Sequence, residues 1–594
     1  MILQALVKYY ETLAEQGKIA KMGWGEYKIS YALDIKEDGS ISNVVAFEDE
    51  DNRGRKVLLP QKNKTNSAND VQFLWNDSKF LLGCSLKKGK DGKLVKDEEG
   101  NFAVDTDEKR FSNTAKFHNQ ILQNCNSECA NAIKNFFKKF DLQDFIRNNV
   151  VSRFYKELLS GCYVTLMYKS KFVSEYEDIR YAWDNRDMDK GDTIQQCLVT
   201  GKNSCIARKH PKIEGLNGAL FVSFNKDAFE SYGKSQSYNS SISEYAAFAY
   251  TTALNKLLSD RTKGHTAYFG DTTVVYWAED GQEACRDLMG MLLNMDSDNI
   301  TDEELHEIMT KLSRGETIDF KQVMINPKNK FYIMGISVNE ARIIVRFFYE
   351  DIFGNVVKHF REHYECLQIV KQKKLGNISI RMLLEEMGNK YSKDKKVGAL
   401  FARTLLRTIV VGEKYPISLY QNTILRAKLD QDIVENGKKK NFKITPVKAA
   451  IIKACLQKNY NNKEEATVAL NEETKNVPYV LGRLFAVLEA LQQAANPGLN
   501  STIKDRYFSS ACATPNVTFP ILLKLAQHHL NKLTAEPSWK VSYEKKIGQL
   551  ADRIEMNEHP LPAQLDLEDQ GKFILGYYHQ VQSRYEKKEE KENE

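Results

Sequence analysis

The feature that most narrows what this chain folds into is a change of hydrophobic period. From about residue 285 to the end, apolar residues recur at helical spacing in segment after segment, whereas the stretches before it mix strand and helix patterns. Two segments, "ARIIVRFFYEDIFGNVVKHFREHY" and "GALFARTLLRTIVVGEKYP", are read as helices that leave Arg342, Arg346, Lys358, Arg361, Arg403 and Arg407 accessible beside their apolar faces. Charged, polar breaks at 437–440 and 459–465 lead to a boundary near 470. Beyond it, "VPYVLGRLFAVLEALQQAA" and the patterns at 517–533, 543–557 and 566–585 predict four helices, a natural antiparallel bundle, before a frayed "EKKEEKENE". A chain of 594 residues is too long for one core. The expected fold class is therefore α+β, with a large mixed region over 1–470 followed by a helical bundle over 471–594.

Within the mixed region, Ile2, Leu3, Leu6, Tyr10 and Leu13 share one face of an opening helix. A β-rich stretch follows to about residue 110, with hairpin turns at Asp38-Gly39 and Asp91-Gly92 and a solvated acidic run from Glu48 to Asp51. Residues 113–160 read as helical, with Phe136, Phe137, Phe140, Phe145 and Ile146 among Lys134, Lys138, Lys139 and Arg147. Farther on, Ala219 to Phe224 reads as a strand, Ser241 and Glu244 as a capping box opening a helix that runs through Leu258, and Thr272 to Trp277 as a second strand.

Several classes of protein are excluded at this level. A charged fraction of 28% and a hydrophobic fraction of 42% are those of an ordinary globular protein, not of a disordered chain. No apolar run has membrane length, so the chain is expected in the cytoplasm, away from membranes. Ten cysteines with no Cys-x-x-Cys pair point to reduced thiols. Buried free thiols are preferred over a zinc site built from Cys125 and Cys129 or from Cys197, Cys205 and His210, because the tight paired spacing of structural zinc is missing. His210 is read as a cap of local structure more than as a ligand or base. The zincin, serine-hydrolase, dinucleotide-binding and kinase signatures are missing, so neither catalytic residues nor a cofactor or metal is expected. The alternative class is a metal-dependent nuclease that gathers Asp105, Asp107, Asp187, Asp189, Asp296 and Asp298 around an ion.

Two loops carry the candidate binding residues. The stretch 59–83 places Lys62, Asn63, Lys64, Thr65, Asn66 and Asn69 in a polar segment unable to bury itself; amides and ammonium groups of this kind donate to phosphates and to base edges. The connection 225–240 is far longer than the two to six residues usual between a strand and a helix. It holds Asn225, Lys226, Lys234, Ser235, Gln236 and Asn239 with Tyr232 and Tyr238, and it feeds a helix N-terminus, where free amides favour anions. Its Gly233-Lys234-Ser235 has the ending of a phosphate-binding P-loop, but Ala228 stands where that motif needs its first glycine, so a nucleic-acid backbone fits better than a nucleotide cofactor. Arg208, Lys209 and Lys212, followed by Gly215 and Gly218, extend this basic region. The net charge of +6 is only a weak basic bias, so local clustering has to provide the contact.

Six segments, "MILQALVKYYETLAEQG", "HPKIEGLNGALFVSFNKDAFESYGKSQ", "FAYTTALNKLL", "GDTTVVYWAE", "VPYVLGRLFAVLEALQ" and "GKFILGYYHQ", follow in order along nearly the whole chain. Through them the chain resembles the large subunit of the type I-C CRISPR interference complex, Cascade. The resemblance implies a non-catalytic subunit that holds CRISPR RNA together with backbone, guide-end and small subunits. It further implies recognition of the protospacer-adjacent motif on target duplex DNA, help in opening the strands, and recruitment of a separate helicase-nuclease in trans. Base pairing with the guide reads most of the target, leaving the protein a few base pairs to read. The C-terminal helical region resembles the small subunit, which in this family is also produced from an internal start; no methionine lies near Val477. On this reading Lys62 to Asn69 and the region Gly215 to Gln236 approach the adjacent motif, and arginines of the helical part guide the displaced strand. A purely structural assembly protein is the remaining class.

Overall fold

The computed structural model describes the chain apart from residues 48–53, 63–70, 90–93, 97–101, 149, 187–192, 260–264, 295–299, 372–375, 389–397, 436–437, 442, 500, 534–536, 556–559 and 594, and it describes only the backbone of 433–435, 438–441 and 586–593. Strands concentrate before Ile352 and helices after it, so the α+β class holds. The chain divides into two compact units, one of residues 6–211 with 222–252, the other of 1–5, 212–221 and 253–594.

The opening helix Ile2–Glu15, which belongs to the first unit from Leu6 onward, buries Leu6, Tyr10 and Leu13 as its periodicity requires. A five-stranded sheet takes the order Ile41–Ala46, Tyr31–Ile35, Tyr163–Tyr168, Trp75–Asp77, with Lys171–Phe172 also paired to Tyr163–Tyr168. The turn at Asp38-Gly39 joins the first two of these strands, as the dipeptide predicts. Strand Tyr163–Tyr168 is buried at every residue after Tyr163, which suits a central strand covered on both faces. One face packs on helix Glu128–Lys139 through Ile133, Phe136 and Phe137. The other meets Ile29, Val57, Leu59 and Trp75, from the sheet's edge and from the antiparallel pair Trp24–Ile29 and Arg55–Pro60. The Asp91-Gly92 turn and the acidic run from Glu48 lie largely or wholly outside the described residues.

Two sequence expectations fail around residues 219–244. Ala219 to Phe224 is not a regular strand; Ala219 and Leu220 make single bridges, to Ile213 and Arg342. Helix Glu244–Ser259 is capped by Ser243, whose hydroxyl accepts from the Ala246 amide, while the Ser241 hydroxyl donates to Gln195. Ser243 wins because it directly precedes the first helical residue, where its oxygen reaches the N3 amide.

The second unit holds a four-stranded antiparallel sheet in the order Thr266–Phe269, Thr272–Ala278, Lys330–Asn339, Arg342–Ile352. Arg342–Ile352 corrects the helix expected there. Its β-branched run Ile343, Ile344, Val345 and aromatic run Phe347, Phe348, Tyr349 suit a pleated surface, and the helix begins only at Phe353. Three of the arginines expected to stay available are engaged: Arg346 with Asp271 and Ser337, Arg361 with Glu365 and Ser313, Arg407 with Glu413.

Five helices follow residue 477 among the described residues, where the pattern predicted four. Val477–Ala495 is buried along nearly its whole length and lies against Leu567–Asn593. Their backbones meet at two glycines: a Cβ on Gly482 would collide with the Phe573 carbonyl oxygen, and one on Gly576 with that of Tyr479. Helix Leu567–Asn593 also packs on Pro446–Asn459, and the Tyr420 and Tyr578 hydroxyls donate to the Glu568 and Val370 carbonyls, so helices on both sides of residue 470 share one core. Beneath it, the fully buried ammonium of Lys448 sits 2.6 Å from Asp430 and 3.5 Å from Glu386.

Candidate nucleic-acid interface

The loop that begins at Lys62 springs from a fixed root. On the entering side, the Gln61 amide donates to the Gly23 carbonyl at 2.7 Å and the Trp75 indole donates to the Pro60 carbonyl at 2.9 Å. Lys62 donates its backbone amide to the Tyr27 hydroxyl at 2.8 Å and its ammonium to the Tyr163 hydroxyl at 3.2 Å. Both rings pack on Trp75, with centroids 4.2 and 5.2 Å away.

On the leaving side, Gln72, Phe73 and Leu74 are buried, and Phe73 stacks on Trp183. Leu74 has φ +70°, a conformation costly for a branched side chain. It is held by His118, whose Nε2 accepts the Leu74 amide at 2.7 Å while Nδ1 donates to the Thr114 carbonyl at 2.8 Å, and by Thr165, whose hydroxyl donates to the Leu74 carbonyl. Burial pushes the imidazole pKa down to about 4, so the ring is neutral and its Nε2 lone pair stays available. Asn63, Lys64, Thr65, Asn66 and Asn69 themselves lie outside the described residues.

The connection 225–240 lies in the same unit and is ordered by its own side chains. The Asn239 carboxamide accepts from the Ser231 amide and hydroxyl at 3.0 and 3.2 Å and donates to the Lys234 and Gln236 carbonyls at 2.6 and 2.9 Å. These bonds close a tight turn in which Lys234 donates to the Ser231 carbonyl and the two central residues, Tyr232 and Gly233, have φ +53° and +68°. Glycine supplies the second of these at no steric cost; hence the Gly-Lys-Ser tripeptide is a hairpin turn. Arg208 is drawn to this loop by a 2.9 Å bond from Nε to Gln236. Among the described residues, Arg208, Lys209, Lys226 and Lys234 pair with no carboxylate. Within the loop, however, Asp227 and Glu230 offset Lys226 and Lys234, so the net positive charge comes from Arg208 and Lys209.

Other expected contacts are used up inside the chain. The helix N-terminus that follows the loop is already served: the Ser243 amide donates to the Cys197 sulfur at 3.2 Å and the Ala246 amide to the Ser243 hydroxyl, and Glu244 adds negative charge there. Two of its four free amides are thereby taken, which weakens its pull on an anion. Burial acts to raise the Cys197 thiol, but its hydrogen bonds from Ser243 and Thr200 outweigh burial and bring it down to about 7. His210 is buried, its Nδ1 2.6 Å from the Tyr250 hydroxyl, and burial pushes it down to about 4; it props local structure, as expected. Lys212, Gly215 and Gly218 belong to the second unit, where a Cβ on Gly215 would meet the Leu258 side chain and Gly218 ends a short turn at φ +75°. Asp107 caps helix Glu108–Ile121 and pairs with Arg110, Asp105 lies on the strand Val104–Thr106, and Asp187, Asp189, Asp296 and Asp298 lie outside the described residues. No group of three His, Cys, Asp or Glu side chains converges as metal ligands among the described residues.

Two cavities lie in the first unit. One of about 550 Å³ is lined by Gln61, Tyr10, Tyr245 and Lys21, and one of about 1020 Å³ by amides including Asn124 and Asn126. Arg186 borders both, its guanidinium 3.3 Å above the Trp183 ring. Carboxylates outnumber cations in each, with Glu11, Glu15 and Asp184 against Lys21 and Arg186 in the smaller and Glu177, Asp178 and Glu244 against Arg186 in the larger. Such linings disfavour a phosphate backbone.

The sequence matches the family model of the CRISPR-associated protein Cas_Csd1 over residues 6–585. The chain belongs to that family. No curated protein matches it. As a Cas_Csd1 protein it is a CRISPR-associated component of a Cascade-type complex, in line with the resemblance read from its segments. No helix among the described residues of this Cas_Csd1 protein is long and apolar enough to cross a membrane.

Proposed function

We propose that this Cas_Csd1 protein is the non-catalytic large subunit of a type I-C Cascade. It recognises the protospacer-adjacent motif on duplex DNA, aids strand opening and helps to recruit a helicase-nuclease that cuts in trans. The observation that carries this reading is the firm anchoring of Lys62 and Leu74 on a buried aromatic root, on either side of a stretch whose sequence is rich in the amides and lysines that donate to phosphates and base edges. Arg208, Lys209, Lys226 and Lys234 of the same unit, which pair with no carboxylate among the described residues, supply phosphate contacts. Backbone, guide-end and small subunits and CRISPR RNA are the partners this role requires.

Binding of the assembled complex to duplexes with intact and mutated motifs tests the assignment. Asn66→Ala with Asn69→Ala should lower affinity for the intact motif and leave the mutated one unchanged; equal loss on both refutes base readout there. Lys234→Ala should weaken all duplexes alike and reduce the slope of log K against log salt by about 0.9 for each phosphate that is no longer neutralised.

A further inference from the structure

We propose that Tyr232 is a stacking platform for an unpaired nucleobase, presented by a hairpin tip that Asn239 holds in shape. The proposal rests on the nucleic-acid reading of this loop and adds what the loop recognises.

Tyr232 is 98% exposed and makes no hydrogen bond or ring contact among the described residues. Its backbone is nonetheless constrained to a left-handed conformation that a tyrosine rarely adopts, fixed by the Ser231–Lys234 bond and the four bonds of Asn239. Strain of this kind survives only where the surroundings over-determine it, and it is found where a side chain must be aimed. Here the aimed group is an aromatic ring standing in water.

The chemistry of the tip narrows the ligand. Asp227 and Glu230 cancel Lys226 and Lys234, so the tip offers a π-face instead of a charge, and Arg208, bonded to Gln236, brings a cation to the loop for the backbone of the same strand. Phe229, at 37%, is the only other large apolar side chain of the loop that is exposed, too little for an apolar protein-docking patch. Bases inside a duplex have both faces covered by their neighbours, whereas an unpaired base has a face free for a ring. DNA and RNA share that face, so the ligand class is an unpaired base of either.

The test uses the full-length chain with single-stranded DNA and RNA oligonucleotides containing 2-aminopurine, and the corresponding duplexes. The wild type should quench the probe in both single strands. Tyr232→Ala should abolish quenching and raise the single-strand Kd roughly 5- to 100-fold with little change on duplex, Tyr232→Phe should behave as wild type, and Asn239→Ala should fall between them. Lys234→Ala should weaken single strands and duplexes alike. Absence of quenching by the wild type overturns the proposal, as does a Tyr232→Ala chain that binds single strands normally while Lys234→Ala still weakens them; in that second case the loop touches phosphates only and the broader reading stands. If neither substitution alters binding, both the proposal and the assignment of this loop fall. A circular-dichroism melt checks that each variant is folded, and Tyr232, at an exposed tip, should leave it unchanged.

Discussion

Replacing His118 by leucine tests whether the root of the first loop is built as described. At neutral pH the variant loses the acceptor for the Leu74 amide, a buried donor whose orphaning costs about 1–3 kcal/mol. It also loses ring contacts to Phe73 and Phe137, 5.1 and 4.5 Å away, which brings the total to about 2–4 kcal/mol. The wild type carries a compensating weakness. Its imidazole titrates near 6.5 when unfolded and about 4 when folded, because burial disfavours the cation. The stability held by the neutral ring is therefore complete above pH 6.5, falls as the pH drops through the window from 6.5 to 4, and is gone below it. At pH 4.5 roughly 2–3 kcal/mol has been lost from the wild type and nothing comparable from the leucine variant. His210, His363 and His579, also held below the ordinary range by burial, are common to both proteins and cancel in the comparison. Urea titrations followed by tryptophan fluorescence, with hydrogen exchange over residues 71–77 as the local reporter, should show a gap at pH 7 that nearly closes at pH 4.5. A gap of the same size at both pH values refutes the buried, neutral acceptor.

Two further substitutions probe the second unit. Lys448→Met leaves Asp430 and Glu386 buried without their cation and should cost about 3–5 kcal/mol, lowering Tm by roughly 4–7 °C for a unit of this size; an unchanged melt contradicts the buried ion cluster. Gly482→Ala or Gly576→Ala should each destabilise by at least about 1–3 kcal/mol, read in the same melt, because the added methyl meets the backbone of the facing helix; a neutral result would mean that the two helices lie farther apart.

Much of the architecture is legible in the chain because local pattern and global packing agree there. Helices Ile2–Glu15 and Val477–Ala495, the turn at Asp38-Gly39 and the strand at 272–278 all follow from periodicity and turn chemistry. The strand Arg342–Ile352 was hidden because unbroken aliphatic and aromatic runs on either side of Arg346 satisfy either period, and only its β-branched content separates them. At the candidate site the contrast is one of sequence distance. The clasp made by Asn239 spans eight residues and lies within a stretch that reads as a functional loop. The grip of His118 on Leu74 crosses 44 residues, and Trp183 reaches Phe73 from farther still, so nothing near the Lys- and Asn-rich segment marks what anchors it. The partial occupation of the helix N-terminus after the second loop was hidden for the same reason, since Cys197, which takes the Ser243 amide, lies 46 residues upstream.

The shared core of the last helices bears on how such a region behaves when translated by itself. A polypeptide starting near Val477 would leave behind Pro446–Asn459, which covers Leu567–Asn593, together with Tyr420 and Val370, which are hydrogen-bonded to that helix. Its Gly571 would face empty space in place of the Tyr420 ring. The released piece would carry a naked greasy flank into solution, and would stay soluble only by setting that flank against another molecule that offers a matching one.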